Sequence, residues 1–471
     1  MSKVAITGQG FTLRVHRSSR RAGFGVAVDG RGLTSRSGTA ALRELADLIG
    51  LTDALSAAAA PVSSDGLIHE PGAVLRDLVV MLADGGDDFS AIGTLRGQTG
   101  LGGAVASDST AWRRVADLAG HELSVVRLDA ARRRVRATVW RHGGAPPAVV
   151  DPSSGLVCVD VDATLVTAHS DKESAAGTYK RGFGFHPLLA YLDRDDGTGE
   201  ALAAQLRAGN AGSNTAVDHI DIFETALDQL PDVEAERVVV RADSAGSTQA
   251  FLGYLGEAGV EFSVGARLDE QVRPAIRIAQ SRPDGWVPAV GQDGQVRDGA
   301  HVTEITGHVD VSAYPAGTRV LVRREPLHPG AQQTFDDLDG HRFTALLTSQ
   351  TDTDLAALDR RHRAHARVEQ RIRDAKTLGL RNLPSADFAM NQIWLQLVLL
   401  AQDLLAWFAV LTLDGDLAVA APATVRYRLL HVAGRITRSS RRVTLHLDAT
   451  WPWAADLAEA FRRLRTLSLP A

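Results

Sequence analysis

Leu156-Val-Cys-Val-Asp-Val-Asp162 is the stretch from which the fold can be read. Its strict alternation marks a strand, where side chains two apart share a face, so Asp160 and Asp162 project from the same side. A second β-branched run, Val238-Val-Val240, continues as Arg-Ala-Asp243 and reads as a buried strand ending in another carboxylate. A helix is expected at 248–258 and a further strand at 260–264. Strands and helices mixed in this way give an α/β layer architecture. Carboxylates at the ends of neighbouring strands in such a sheet can converge on one point.

Upstream, residues 1–35 read as short strands and 38–60 and 72–85 as helices; Ser107-Asp-Ser-Thr110 caps a helix at 111–118. This block holds no catalytic constellation and is expected to bind or to scaffold. The organisation changes near Pro146-Pro147, with strand signal at 164–168 and 183–192 and a helix at 218–230. Downstream, Trp286-Val-Pro, His301-Val-Thr-Glu-Ile-Thr, Thr318-Arg-Val-Leu-Val-Arg and Phe343-Thr-Ala-Leu-Leu-Thr are strand-like and separated by turn residues, a β-rich insertion. Helices run from Asp354 to about Phe408, followed by a basic strand pair and a last helix at 453–464. The apolar stretch 388–413 is broken by Asn391, Gln392, Gln396, Gln402 and Asp403, and reads as a core helix rather than a membrane span.

At 471 residues, 45% hydrophobic and 23% charged, the chain has room for several domains and is not a disordered polymer. Its single cysteine, Cys158, excludes an internal disulfide framework and fits a reducing compartment. No secretory signal is read at Met1, so a cytoplasmic protein is expected. The net charge is −5, yet residues 132–141 carry five arginines and 423–442 six, both without an acid. Residues 359–382 hold eight basic residues against three acids. Such stripes suit a phosphate-backbone partner met on selected faces, although any one of them alone resembles a solvated helix face.

Several patterns are weak. Gly8-x-Gly10 and Gly97-x2-Gly-x-Gly-Gly103 lack the strand and helix of a nucleotide fingerprint and read as turns. Ala242-Asp-Ser-Ala-Gly246 stands where a nucleophile elbow belongs but lacks its first glycine, which leaves Ser244 a poor candidate nucleophile. His362-x2-His365-x3-Glu369 could face one zinc ion, but no further cysteine or histidine stands at ligand spacing. The carboxylates are stronger. Glu369 lies on a basic helix, 363–376, and shares a face with Arg373 and Lys376, whereas Arg371 points elsewhere. Two strand acids and one helix acid form a hard-oxygen set suited to Mg²⁺, and paired ions can clamp both oxygens of a phosphoryl displacement.

At these residues the sequence resembles the DDE transposases of bacterial insertion sequences, most closely insertion-sequence family 1380, through nearly the whole chain. Val159-Asp-Val-Asp-Ala-Thr164 resembles the strand ending in the first catalytic aspartate, which selects Asp162 over Asp160. Lys180-Arg-Gly-Phe-Gly-Phe-His-Pro-Leu-Leu189 resembles the next strand, and Arg207-x-Gly-Asn210 the following turn. Val240-Arg-Ala-Asp-Ser244 resembles the segment of the second aspartate, Asp243. Glu369 and Lys376 stand in register with the Tyr-x2-Arg-x3-Glu-x6-Lys signature, whose Tyr and Arg fall on His362 and His365.

The resemblance implies a ribonuclease H-like catalytic core interrupted by a β-rich insertion, with an N-terminal mixed, mostly helical domain and a helical C-terminal region. The expected divisions are 1–145 for DNA binding or scaffolding, 150–275 and 351–415 for the two parts of the core, 276–350 for the insertion, and 416–471 for a basic C-terminal region. Asp162, Asp243 and Glu369 would be catalytic and hold two Mg²⁺ ions, with Mn²⁺ able to substitute. Arg363, Arg367, Arg373, Lys376, Arg435 and Arg438 would contact DNA. The implied reaction is cut-and-paste: a metal-activated water nicks DNA at the element's end, and the freed 3′-OH attacks target DNA. Its partners would be double-stranded DNA at terminal inverted repeats and target sites, and a second copy in a synaptic homodimer. The setting would be the bacterial cytoplasm, at the nucleoid when DNA is bound. The alternatives are a DNA-binding derivative with its chemistry unused and, more remotely, a serine hydrolase using Ser244. Trp286 is expected either to hold an unstacked base near the cut or to pack the insertion's own core.

Overall fold

Nine strands form one sheet: β1 (Val157–Ala163), β2 (Leu188–Asp193), β3 (Gly199–Gln205), β4 (Val238–Ala242), β5 (Glu261–Ala266), β6 (Val287–Val290), β7 (Val296–Glu304), β8 (Arg319–Pro326) and β9 (His341–Thr348). Their spatial order is β6-β7-β8-β9-β5-β4-β1-β2-β3. β1, β4 and β5 run parallel, and every other pairing is antiparallel. The β-rich insertion is therefore not a sheet apart: its strands continue the edge of the main sheet past β5. The computed structural model describes residues 28–467 except 64–65, 144–154, 195, 329, 331, 333, 335–336 and 441. The strands expected before residue 28, Gly8-x-Gly10 and the Pro146-Pro147 boundary lie outside the described residues.

Alternation along β1 divides the molecule. Val157, Val159 and Val161 enter a core with Phe223, Phe251 and Leu255. Those residues come from α3 (Ala216–Asp228) and α4 (Gln249–Glu257), following α1 (Pro71–Ala83) and α2 (Ser124–Arg141) in the chain. Cys158, Asp160 and Asp162 face the opposite side, toward α5 (Leu355–Arg363), α6 (Arg367–Ala375) and α7 (Phe388–Thr412). The single basic helix expected over 363–376 is interrupted at Ala364–Ala366 by a tighter 3₁₀ turn and ends in a wider turn, Lys376–Leu380. The glycine run at 97–103 is not simply a turn, because Thr99–Gly102 forms one helical turn.

α7 is the one described helix long and apolar enough to cross a membrane, but 83% of its most apolar window is buried within the protein. Trp394, Leu397, Leu400 and Leu404 pack in the helical core against α1 and its neighbours. Its polar residues are matched: Gln396 Nε2 donates to the Ala204 carbonyl at 3.1 Å, and Asn391 exchanges hydrogen bonds with the backbone of Ser385.

α2 corrects one reading of the basic runs. Arg132 and Arg136, expected on a phosphate-facing stripe, are fully buried. Arg136 pairs with Glu200 at 2.8 Å and Asp403 at 2.7 Å, and donates to Gln229 Oε1 at 2.7 Å. Glu200 also accepts from Arg194 and from the indoles of Trp140 and Trp407. Although burial alone would raise it, these partners hold the Glu200 carboxyl down to about 2, whereas burial pushes Asp403 up to about 6. Five arginines in ten residues cannot show from sequence which of them turn inward.

Candidate active site

Parallel pairing sets the first two acids side by side. Val161 stands opposite Ala242, the last residue of β4, so Asp162 and Asp243 follow directly on neighbouring parallel strands. Each carboxylate has one oxygen tied to the backbone: Asp162 Oδ1 accepts from the Ala163 N–H and Asp243 Oδ1 from the Ala245 N–H, both at 2.8 Å. Neither has a salt-bridge partner among the described residues. Asp160 differs. Its carboxylate receives two 2.8 Å hydrogen bonds from Arg241 and one of 2.8 Å from His365 Nδ1, and it has no exposure. Burial would raise its carboxyl, but Arg241 and then His365 hold it well below the usual range. Asp160 is therefore a structural anchor, and Asp162, half-buried and without an ion pair among the described residues, is the acid left available.

The third acid arrives on α6, which is clamped across the sheet by ion pairs. Arg367 donates to Asp193 at 2.7 and 3.1 Å, and Arg371 at 2.5 Å; Arg241 also reaches Asp193, at 2.6 Å. With His365 on Asp160, these contacts fix where Glu369 sits. Glu369 is exposed, and its charge acts on Asp162, as does that of Asp243. Burial first, then those two charges, push the Asp162 carboxyl up to about 6 against the opposing pull of His365. Lys376 completes the rim: burial lowers its ammonium, Asp162 raises it and Lys180 lowers it. Lys180, next to the exposed Tyr179 at a hairpin tip, was not singled out from sequence; only the fold brings that tip to the cleft.

The raised Asp162 value predicts a stability effect. Its folded pKa of about 6 exceeds the ordinary 3.8, so the cost of the ionised form is absent below about pH 4 and complete above about pH 6. Asp162→Asn should therefore stabilise the metal-free protein at pH 7, by about 1–2 kcal/mol after allowing for partial exposure. Thermal melts should show that gain disappearing by pH 4.

A family model described as transposase DDE domain, group 1, matches residues 17–469. The chain belongs to this family. No curated protein matches it significantly. The protein is thus a transposase, a DNA-binding enzyme of phosphoryl transfer in a family that uses divalent metal ions.

Other expected site residues fall in different places. Arg373 is exposed and Lys376 half-buried at the cleft, whereas Arg371 is turned into the Asp193 clamp. Arg363 is expected on DNA, but its guanidinium is held by Asp359 at 2.8 Å and by the Val290 carbonyl. Arg367 is likewise bound to Asp193. Both help to seat the helices through Nε and Nη2. Arg435 and Arg438 are exposed on a distant hairpin.

His362 and His365 do not share a zinc site with Glu369. His362 is buried against Ser263, with Nδ1 3.0 Å from Oγ, and burial above all keeps its imidazole neutral by lowering it to about 3. Among the described residues no group of three or more His, Cys, Asp or Glu is gathered closely enough to hold a metal ion as it stands. The three carboxylates still have the right chemistry for a hard cation: oxygen donors only, with burial first and then the charges of Asp243 and Glu369 raising Asp162. Trp286 is not free to hold a base. It is buried, donates Nε1 to the Ala279 carbonyl at 3.1 Å, packs edge-on to Phe343 and carries Arg324 over its ring at 4.3 Å. Ser244 sits in a 3₁₀ turn capped by Asp243, and no histidine reaches its hydroxyl among the described residues.

Proposed function

We propose that this transposase cuts DNA at the ends of its element and transfers the freed 3′-OH into target DNA, with Asp162, Asp243 and Glu369 as the catalytic carboxylates. One observation carries the reading: Asp162 and Asp243 stand at the ends of adjacent parallel strands, and the charges of Asp243 and of Glu369, on a clamped helix, both act on Asp162, with no arginine paired to any of the three among the described residues. The order β3-β2-β1-β4-β5, with an antiparallel meander and a parallel half, supports a ribonuclease H-like core extended by the insertion strands. On this reading, residues 150–275 and 351–415 form the core and 276–350 the insertion. The remaining parts, 1–145 and 416–471, flank it, and a homodimer assembles on DNA in the bacterial cell.

Divalent ions, Mg²⁺ foremost, would supply charge neutralisation at the attacking and leaving oxygens of each phosphoryl displacement. The residues supply the rest. Asp162, Asp243 and Glu369 would hold the ions, and the His365–Asp160 and Arg367–Asp193 contacts keep Glu369 in place. Lys376 and the exposed Arg373 bind the phosphates of the strand being cut. Water adds to the scissile phosphorus as the 3′ oxygen leaves with a proton; that 3′-OH then displaces a 3′ oxygen in target DNA. The test is cleavage of a labelled duplex carrying the element's ends, with Mg²⁺ and with EDTA. Metal-dependent 3′-OH formation supports the reading, and a wild-type protein that never cuts such a duplex contradicts it.

The helix geometry makes a separate prediction. Lys376→Ala should remove about one phosphate contact and lower the slope of log affinity against log salt by about 0.9. Arg371→Ala, inside the Asp193 clamp, should leave that slope unchanged. Reversed results would mean that α6 presents its other face to DNA.

A further inference from the structure

The C-terminal ribbon, Gly434–Ser439 paired with Arg442–Leu447, takes no part in the site described above. In its register Arg435 stands opposite His446, Thr437 opposite Thr444, and Ser439 opposite Arg442. Cross-strand partners share a face and alternate along the strand, so these six residues form one surface. Ile436 with Leu445, Arg438 with Val443, and Gly434 with Leu447 form the other.

The base of the second surface is anchored to the body of the protein, whereas Arg438 and Val443 nearer the tip are exposed. The Ile436 N–H donates to the Gly32 carbonyl at 2.7 Å. Its side chain lies so close to Gly100 that a Cβ there would meet Cδ1 at 2.5 Å, and Leu447 packs on the helical core. The first surface is turned outward. Arg435, Ser439, Arg442, Thr444 and His446 are exposed, and Thr437 Oγ1 lies 2.9 Å from His446 Nε2 across the strands. No acid occurs between residues 421 and 447. Neither Arg435 nor Arg442 has an ion-pair partner among the described residues.

We propose that this outward face is a second DNA-binding site, a two-stranded ribbon laid along a groove of duplex DNA with Arg435 and Arg442 on the phosphates. Its rows recur every two residues, about 6.7 Å apart, which matches two base-pair steps of about 3.4 Å. Leu33–Thr34 pairs with Gly434–Arg435 and adds a third strand at the base; from Ile436 to Leu445 the ribbon is two strands wide, a width that fits the major groove. Its one apolar side chain is the exposed Leu33, opposite Arg435 at the base of the face, and a single leucine offers neither the core of a protein interface nor an anchor in a bilayer. Arg438 lies on the anchored side, which parts it from Arg435 although the two stand only three residues apart. The proposal rests on the transposase reading for the identity of the partner, and its test separates the two.

Full-length protein would be titrated onto a fluorescein-labelled mixed-sequence duplex over a range of salt, and cleavage of the element's ends measured in parallel. Arg435→Ala/Arg442→Ala should weaken binding and lower the salt slope by about 1.8, while Arg438→Ala changes it little. Circular dichroism should show both variants folded, because all three side chains are exposed. An unchanged slope for the double variant, or an equal loss for Arg438→Ala, overturns the proposal; so does a double variant that loses self-association but keeps its DNA affinity. Should the double variant cut and bind like a wild type that cuts, the ribbon fails and the transposase reading stands. Should the slope fall as expected while the wild type cuts nothing, the ribbon stands and the catalytic reading fails.

Discussion

Glu369→Gln is expected to reduce strand cleavage by at least about a thousandfold, roughly 4 kcal/mol of transition-state stabilisation, while duplex binding stays near wild type. The substitution keeps the size of the side chain and removes only its charge. Glu369 is exposed and makes no contact that seats α6; His365, Arg367 and Arg371 do that. The fold should therefore survive, and the loss should fall on the chemistry. Asp243→Asn should behave alike, because Asp243 is also exposed and its cap to the Ala245 N–H can be kept by the amide oxygen. Binding can tighten slightly in both, since a carboxylate facing phosphate repels it. A rate within tenfold of wild type for either variant would remove that residue from the catalytic set.

Arg136→Ala should cost about 3–5 kcal/mol of stability and lower the thermal midpoint sharply. Glu200 and Asp403 would remain as two buried carboxylates with one fewer cation, while the Ala201 carbonyl loses its Arg136 donor and Gln229 Oε1 keeps only Arg132, at 3.3 Å. This network ties α2 to β3 and α7, so the N-terminal helices and the core would loosen together. Arg133, exposed on the same helix and paired only with the exposed Asp228, serves as the control: its alanine variant should change stability by less than about 1 kcal/mol. Equal midpoints for the two variants would show that the network contributes little.

The contrast between Arg133 and Arg136 shows where reading the sequence stops. Strands with strong β-branched runs, such as Val157–Ala163 and Val238–Ala242, were legible, and so were the insertion strands, because period-two alternation and turn residues mark them locally. β3 was not. Gly-Glu-Ala-Leu-Ala-Ala-Gln is rich in good helix formers and becomes a strand only by lying against β2, where Glu200 through Ala204 are buried. Asp162 and Asp243 were legible as strand-end acids. The role of Asp160 was not, because the arginine and histidine that engage it come from residues 81 and 205 positions away. The basic runs misled for a related reason. A count of charge cannot distinguish Arg373, open at the cleft, from Arg363 and Arg367, which are paired with Asp359 and Asp193. For Trp286 the sequence left base holding and core packing both open, and the ring packed against Phe343 and under Arg324 decides for packing.

The most direct test of the central claim is anomalous diffraction from crystals of the protein with duplex DNA and Mn²⁺. Density for Mn²⁺ bound by Asp162, Asp243 and Glu369 together, and missing in Asp243→Asn crystals, is the predicted result. Mn²⁺ bound elsewhere, with Glu369 still apart from the two aspartates when DNA is in place, would contradict it.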